Sequence, residues 1–230
     1  MFFLGPQTPF AQSYIDIISG IFTRAGGKGG GLIYEDKKAS YRSEVDQALR
    51  ANPDVVVLGG YVPDTAVVLK DLYRAGFSGR RIGFSFGVNQ KLLEAVPGEV
   101  GEGAYSLVPS ASVSAQAYKR LIGKLKLDAL DTYSCQVFDH INMVALALAS
   151  APKATVSGTT VRDQIRQVTQ STGKAVDSAE DGLKLLAAGT AVNFDGASGP
   201  LEFAENGDVK GVFFRYEQIQ KGKLAVVKVA

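Results

Sequence analysis

Val55-Val56-Val57-Leu58 is an unbroken apolar, β-branched run set between the turn residues Asn52-Pro53-Asp54 and the pair Gly59-Gly60. A run this short, with no polar alternation, fits a strand buried on both faces. That requires helices above and below a sheet, and the neighbouring segments supply them. Phe2 to Leu4 predicts a first strand stopped by Gly5-Pro6, and Leu32-Ile33-Tyr34 a second. Between them Phe10, Tyr14, Ile17, Ile18, Ile21, Phe22 and Ala25 recur at helical spacing and predict a helix with one buried stripe. Val45, Ala48 and Leu49 mark another short helix, and a further one covers 64–75, with Asp64 in its first turn and Gly76 past its end. Ile82 to Phe84 is a fourth strand, Asn89 caps a short helix through Val96, and Gly103 to Val108 is a fifth strand. Strands alternating with single helices predict an α/β fold with a doubly wound parallel sheet.

The second half reads differently. Helical patterns cover 112–126, 134–149, 161–169 and 179–187, and no strand pattern separates them. In the second of these, Val137, Ile141, Val144, Ala145 and Leu148 share a face that needs a surface to cover it. The end is β-rich: Val192-Asn193-Phe194, Pro200 to Phe203, a turn at 205–208, Val212 to Tyr216, and Leu224 to Val229 after the hairpin turn Lys221-Gly222-Lys223.

Composition excludes several function classes. The 25 basic and 23 acidic residues are dispersed, without the basic stripe of a nucleic-acid binder. A single cysteine, Cys135, forms no internal disulfide, and a single histidine, His140, forms no His-rich metal site. The two together do not make a zinc site. No stretch is apolar for long enough to span a bilayer.

Ligands in open α/β sheets lie at the carboxyl ends of the strands. Those loops carry Phe10, Tyr61, Phe84 and Phe86 among small and hydrogen-bonding residues, with no cluster of His, Cys or paired carboxylates. This suits holding a small molecule better than transforming it, and implies no metal and no cofactor. Two motifs have sharper readings. Gly83-Phe84-Ser85-Phe86-Gly87 matches the nucleophile elbow of serine hydrolases, but its only base would be His140, and no oxyanion motif accompanies it. Gly26 to Gly31, with Lys28 inside it, looks like a phosphate loop. It lies between a helix and a strand, the reverse of the order a phosphate loop requires, and so reads as a helix stop and turn.

Ala51 to Tyr61, with Pro63-Asp64 and the apolar helix to Gly76, resembles the second lobe of type I periplasmic binding proteins, in particular the leucine/isoleucine/valine-binding group. Phe194-Asp195-Gly196-Ala197-Ser198-Gly199-Pro200-Leu201-Glu202-Phe203, with Glu205-Asn206-Gly207-Asp208, resembles that family's C-terminal signature. Phe138-Asp139 and the apolar helix after it are similar to its return helix. The three matches keep the family's order and approximate spacing.

The resemblance implies two α/β lobes: residues 1–106 and 210–230 as lobe two, and 107–209 as the late part of lobe one, with the early part of that lobe absent. The expected function is non-catalytic binding of a small polar metabolite for delivery to an ABC-type permease. The alternative is a truncated receptor that binds nothing tightly, needs a partner chain, or self-associates through the exposed remnant. A periplasmic location is implied. However, Met1-Phe2-Phe3-Leu4 lacks the basic start of a signal peptide, so a chain expressed as given is expected in the cytoplasm. Tyr61 matches an aromatic that lines the family's pocket, and Phe10 stands where a ring closes over the ligand. Ser85 stands near the acid that holds the ammonium in amino-acid binders, and Phe84 precedes it. A serine cannot offset a buried ammonium, which points away from an ordinary branched-chain amino acid and towards amides, urea or aromatic acids.

Overall fold

The computed structural model describes residues 1–111, 113–127, 131, 133–170 and 172–230. The chain divides into two compact units, Met1–Val108 with Arg215–Val229, and Pro109–Phe214 with Ala230.

The first unit is built on a seven-stranded sheet in the order β2-β1-β3-β4-β5-β8-β9. Strands β1 (Phe2–Pro6), β2 (Gly30–Tyr34), β3 (Val55–Leu58), β4 (Arg80–Phe84) and β5 (Tyr105–Pro109) run parallel. Strands β8 (Phe214–Gln220) and β9 (Lys223–Val229) form an antiparallel hairpin. Its turn residues Lys221 and Gly222 both have positive φ, the backbone that lets a two-residue turn follow strand twist. β1 is buried along its whole length, and Pro6 still pairs with Tyr34, so the strand outlasts the Gly5-Pro6 stop read from the sequence. A Pro at a strand end loses only one donor. Leu4, Val56 and Leu58 meet Val45 of α2 (Arg42–Arg50) and Leu69 and Leu72 of α3 (Val62–Arg74) in one core. Asn89 caps α4 (Gln90–Ala95) by accepting from the backbone N–H groups of Lys91 and Leu92. A four-residue helix, α5 (Gly98–Gly101), follows it without a periodic signal in the sequence.

Helix α1 (Ala11–Arg24) departs from expectation. Phe10, Tyr14, Ile17 and Ile21 are exposed, from 36% at Tyr14 to 67% at Phe10, whereas Ala11 is buried and Ile15, Ile18 and Phe22 are half-buried. The apolar sector is wider than the surface beneath it, because α1 packs on β1 and on β2, the edge strand. The glycine run explains the close fit: a Cβ on Gly31 would lie 2.6 Å from the Ile15 side chain.

The second unit contains α6 (Gln116–Leu125), α7 (Ser134–Ser150), α8 (Gly158–Thr169), β6 (Lys174–Val176), α9 (Ala179–Ala187) and β7 (Val192–Phe194). The predicted start of α6 at 112 falls on a residue outside those described. β6 separates α8 from α9 and pairs in parallel with β7, correcting the reading of uninterrupted helices; three residues are too few to show a period. Pro200 to Phe203 is not a strand, and only Phe203 bridges Val209. The strand expected from Val212 begins at Phe214. On α7 the face shared by Val137, Ile141 and Val144 is exposed, and the opposite face, with Met143, Leu146 and Ala147, packs on Val168, Val192 and Phe194. Asp139, fully buried, accepts from the backbone N–H of Ala197 (2.8 Å), the N–H of Ser198 (2.7 Å) and the Ser198 hydroxyl. It thereby ties the Gly196-Ala197-Ser198 turn to α7. Burial lifts its carboxyl above the ordinary range against the pull of these donors, Ser198 first.

Candidate functional site

In the first unit β2 and β3 lie on opposite sides of β1, so the strand order reverses there and the loops after β1 and β3 diverge. Three predicted site residues stand at the carboxyl ends of β3 and β4. Tyr61, 62% exposed, is the N-cap of α3; Phe84 ends β4; Ser85 follows it. Phe10, the N-cap of α1, stands in the loop after β1.

A run of rings joins these loops. Phe3, inside the sheet, lies 6.0 Å from Tyr14 on α1; Tyr14 stacks on Phe84 at 5.3 Å; Phe84 stacks on Phe86 at 5.3 Å; and Phe86 meets Tyr61 at 5.1 Å. The run passes from the core to an exposed ring. Each such pair adds about 0.5–1.5 kcal/mol beyond simple burial. Phe10 is not among the ring pairs of the described residues. Tyr14 and Phe86 complete the run; Phe86 is one of the aromatics read in the ligand-bearing loops, without an assigned role, whereas Tyr14 was not expected at the site. The signal for Tyr14 is its position one turn after Phe10, a spacing that fits a buried helix stripe equally well.

The backbone that holds the rings is tightly constrained. The Thr65 hydroxyl donates to the Gly60 carbonyl at 2.8 Å, and Gly87 packs so closely on that carbonyl that a Cβ would overlap it. The loops after β3 and β4 are thereby locked together. Ser85 donates its backbone N–H to the Leu107 carbonyl at 3.0 Å and accepts the Asn89 amide at its own carbonyl at 2.8 Å. As a nucleophile it would need a base, and the chain's one histidine, His140, is on α7 in the second unit.

In the first turn of α3, Asp64 is buried and engaged. Its Oδ1 accepts from the Tyr41 hydroxyl at 2.7 Å and from the Lys37 N–H at 2.9 Å. Burial, then the Asp64 charge, pushes the Tyr34 hydroxyl far above its ordinary value; burial, then its bond to Asp64, does the same for Tyr41. Both phenols are therefore neutral donors at physiological pH. Among the described residues no group of His, Cys, Asp and Glu is placed to hold a metal, and no helix is long and apolar enough to cross a membrane. The face thus presents stacked rings, one of them exposed, at the carboxyl ends of β3 and β4.

Comparison with known proteins places this arrangement. A family profile described as periplasmic binding protein matches residues 1–214. The leucine-binding protein LivK of Thermotoga maritima superposes with a TM-score of 0.70 at 18% identity, over 99% of this chain and 60% of that one. A type 1 periplasmic binding protein of Bordetella pertussis gives 0.64 at 15% identity, over 98% and 60%. An ABC-transporter solute-binding protein of Rhodopseudomonas palustris, solved in complex with benzoate, gives 0.63 at 12% identity, over 99% and 57%. No curated protein sequence matches the chain. At these identities the likeness is one of fold, and this chain spans about 60% of the length of the structures it matches. The family profile and the mostly parallel, doubly wound sheet agree: the chain belongs to the type I periplasmic binding protein family.

Proposed function

We propose that the chain serves a receptor that binds a small metabolite without transforming it, for delivery to an ABC-type permease. Residues 1–106 and 210–230 act as lobe two, and 107–209 as part of lobe one. The observation that carries this reading is the run of rings from Phe3 to Tyr61 at the carboxyl ends of the strands. Tyr61, Phe84 and Phe10 supply apolar contact, and Ser85 with nearby backbone supplies polar contact. Leucine and benzoate, named with two of the matched structures, bracket the chemistry. Ser85, which follows β4, carries no charge to offset a buried ammonium, and this favours an amide or an aromatic acid over a zwitterionic amino acid.

A thermal-shift screen against leucine, amides, urea and benzoate tests this. A ligand at a hundredfold excess over its Kd adds about 2.7 kcal/mol of apparent stability. Tyr61→Ala is expected to weaken the best ligand about two- to tenfold by calorimetry, the worth of one stacked ring. An unchanged Kd would take Tyr61 out of the site.

A second reading rests on the exposed α7 face. Val137 (58%), Ile141 (67%) and Val144 form an apolar strip that favours self-association or a covering partner segment. In this reading the chain elutes from size exclusion as a dimer or larger, and Ile141→Lys returns it to a monomer. A monomer at all concentrations without the substitution counts against it.

A further inference from the structure

The second unit holds a partly open cavity of about 380 Å³ whose lining residues all lie outside the ring-lined face of the first unit. It lies against one side of α7, where Gln136, Asp139, His140 and Met143 follow one another at helical spacing. Its wall is otherwise mostly apolar, with Ile165 of α8, Leu201, Phe203 and Phe213. This volume and this lining, a largely apolar space with a few polar groups, are those of a small-molecule site.

The polar groups select the ligand. No lysine or arginine lines the cavity, and the one basic side chain an anion would meet there, His140, sits on the same side of α7 as the carboxyl of Asp139. Asp139 adds repulsion to an anion, and its oxygens are already occupied by Ala197 and Ser198. That leaves it little capacity to draw in a cation. Gln136 differs: its Nε2 donates to the Ser110 carbonyl at 3.3 Å, while its Oε1 is buried and has no hydrogen-bond partner among the described residues. A buried acceptor without a donor destabilises the fold, and a ligand that supplies the donor recovers part of that loss.

We propose that this cavity is a second binding site, for a neutral ligand with a compact aromatic or branched apolar body and one hydrogen-bond donor. The donor pairs with Gln136 Oε1 and the body packs on Met143, Ile165, Leu201 and Phe203.

The chain contains two methionines, Met1 in the first unit and Met143 in the cavity wall, so ¹³C-methyl-methionine NMR reads the site directly. Phenol serves as the donor-bearing probe, anisole as its donor-free analogue and benzoate as the anion. The expected result is a saturable shift of the Met143 methyl with phenol while Met1 stays in place. Anisole should bind about fivefold more weakly, the worth of one hydrogen bond, and benzoate should leave Met143 unmoved. Filling the cavity with Val209→Trp, or separately with Ile165→Phe, should abolish the response while the Met143 signal keeps its folded position in at least one of the two. Tyr61→Ala should leave it intact, which separates this site from the face of the first unit. The proposal is overturned if Met143 does not respond to millimolar phenol, if anisole or benzoate binds as well as phenol, if both filled variants bind like the parent chain, or if Tyr61→Ala removes the response.

Discussion

Glu44 shows how one side chain can carry a pH dependence. It is buried on α2, and burial opposes its charge. Lys38 Nζ and the Ser43 hydroxyl each donate to it at 2.7 Å, and together they hold its carboxyl below the ordinary carboxylate range. A depressed folded pKa stabilises the fold above the unfolded value, about 4.3 for a glutamate, and that contribution is lost as pH falls through the lower, folded one. Glu44→Gln should therefore flatten the acid limb of the melting temperature plotted against pH while changing its slope little at neutrality; parallel acid limbs would discount the pairing. Cys135 has the opposite character: burial first, then the charges of Asp139 and Asp131, pushes its thiol up to about 11. It is a packed side chain with little thiolate at neutral pH. Of the residues expected at the site, Tyr61 and Phe84 join the ring run, whereas Phe10 stands outside it. Motif position identified which loops carry rings. It did not reveal which rings stack, because that depends on the contact between α1 and β4.

At the scale of elements, the sequence was most legible where period and punctuation agreed. Val55–Leu58, Ala179–Ala187 and Val192–Phe194 begin and end where their patterns do, and Asn89 makes the cap its position promised. The readings failed for two physical reasons. Short elements such as β6 and α5 have too few residues for a period. Periodicity also measures how apolar a helix face is, and it cannot tell whether anything lies against that face. Both α1 and α7 carry apolar stripes that point away from their own unit's core. For α1 the consequence is measurable. Ile21→Gln, at a half-exposed position, should change stability by less than about 0.5 kcal/mol, whereas Ile15→Gln, against Gly31, should cost about 1–3 kcal/mol. Equal losses in urea titrations of the two variants would mean that the outer stripe of α1 is covered in solution.

At the scale of the molecule, the parallel α/β class followed from the alternation of strands and helices in the first hundred residues, because few folds accommodate successive doubly buried strands. The later residues were less legible, since their helices share a small sheet whose strands are three residues each. One feature of the first unit bears on how the protein is made. Its sheet is not contiguous in the chain: β5 has β8 as its neighbour, and all of the second unit's helices lie between them. Ile219 of β8, fully buried, belongs to the same core as Leu4 and Val56. On the ribosome the first five strands emerge early, and β5 then waits for its neighbour while the intervening hundred or so residues are added, about 5–20 s at ordinary elongation rates. Through that interval the nascent sheet presents a bare edge and an unfilled place for Ile219. Synonymous changes that slow translation between β5 and β8 would lengthen this exposure without altering any residue of the finished protein.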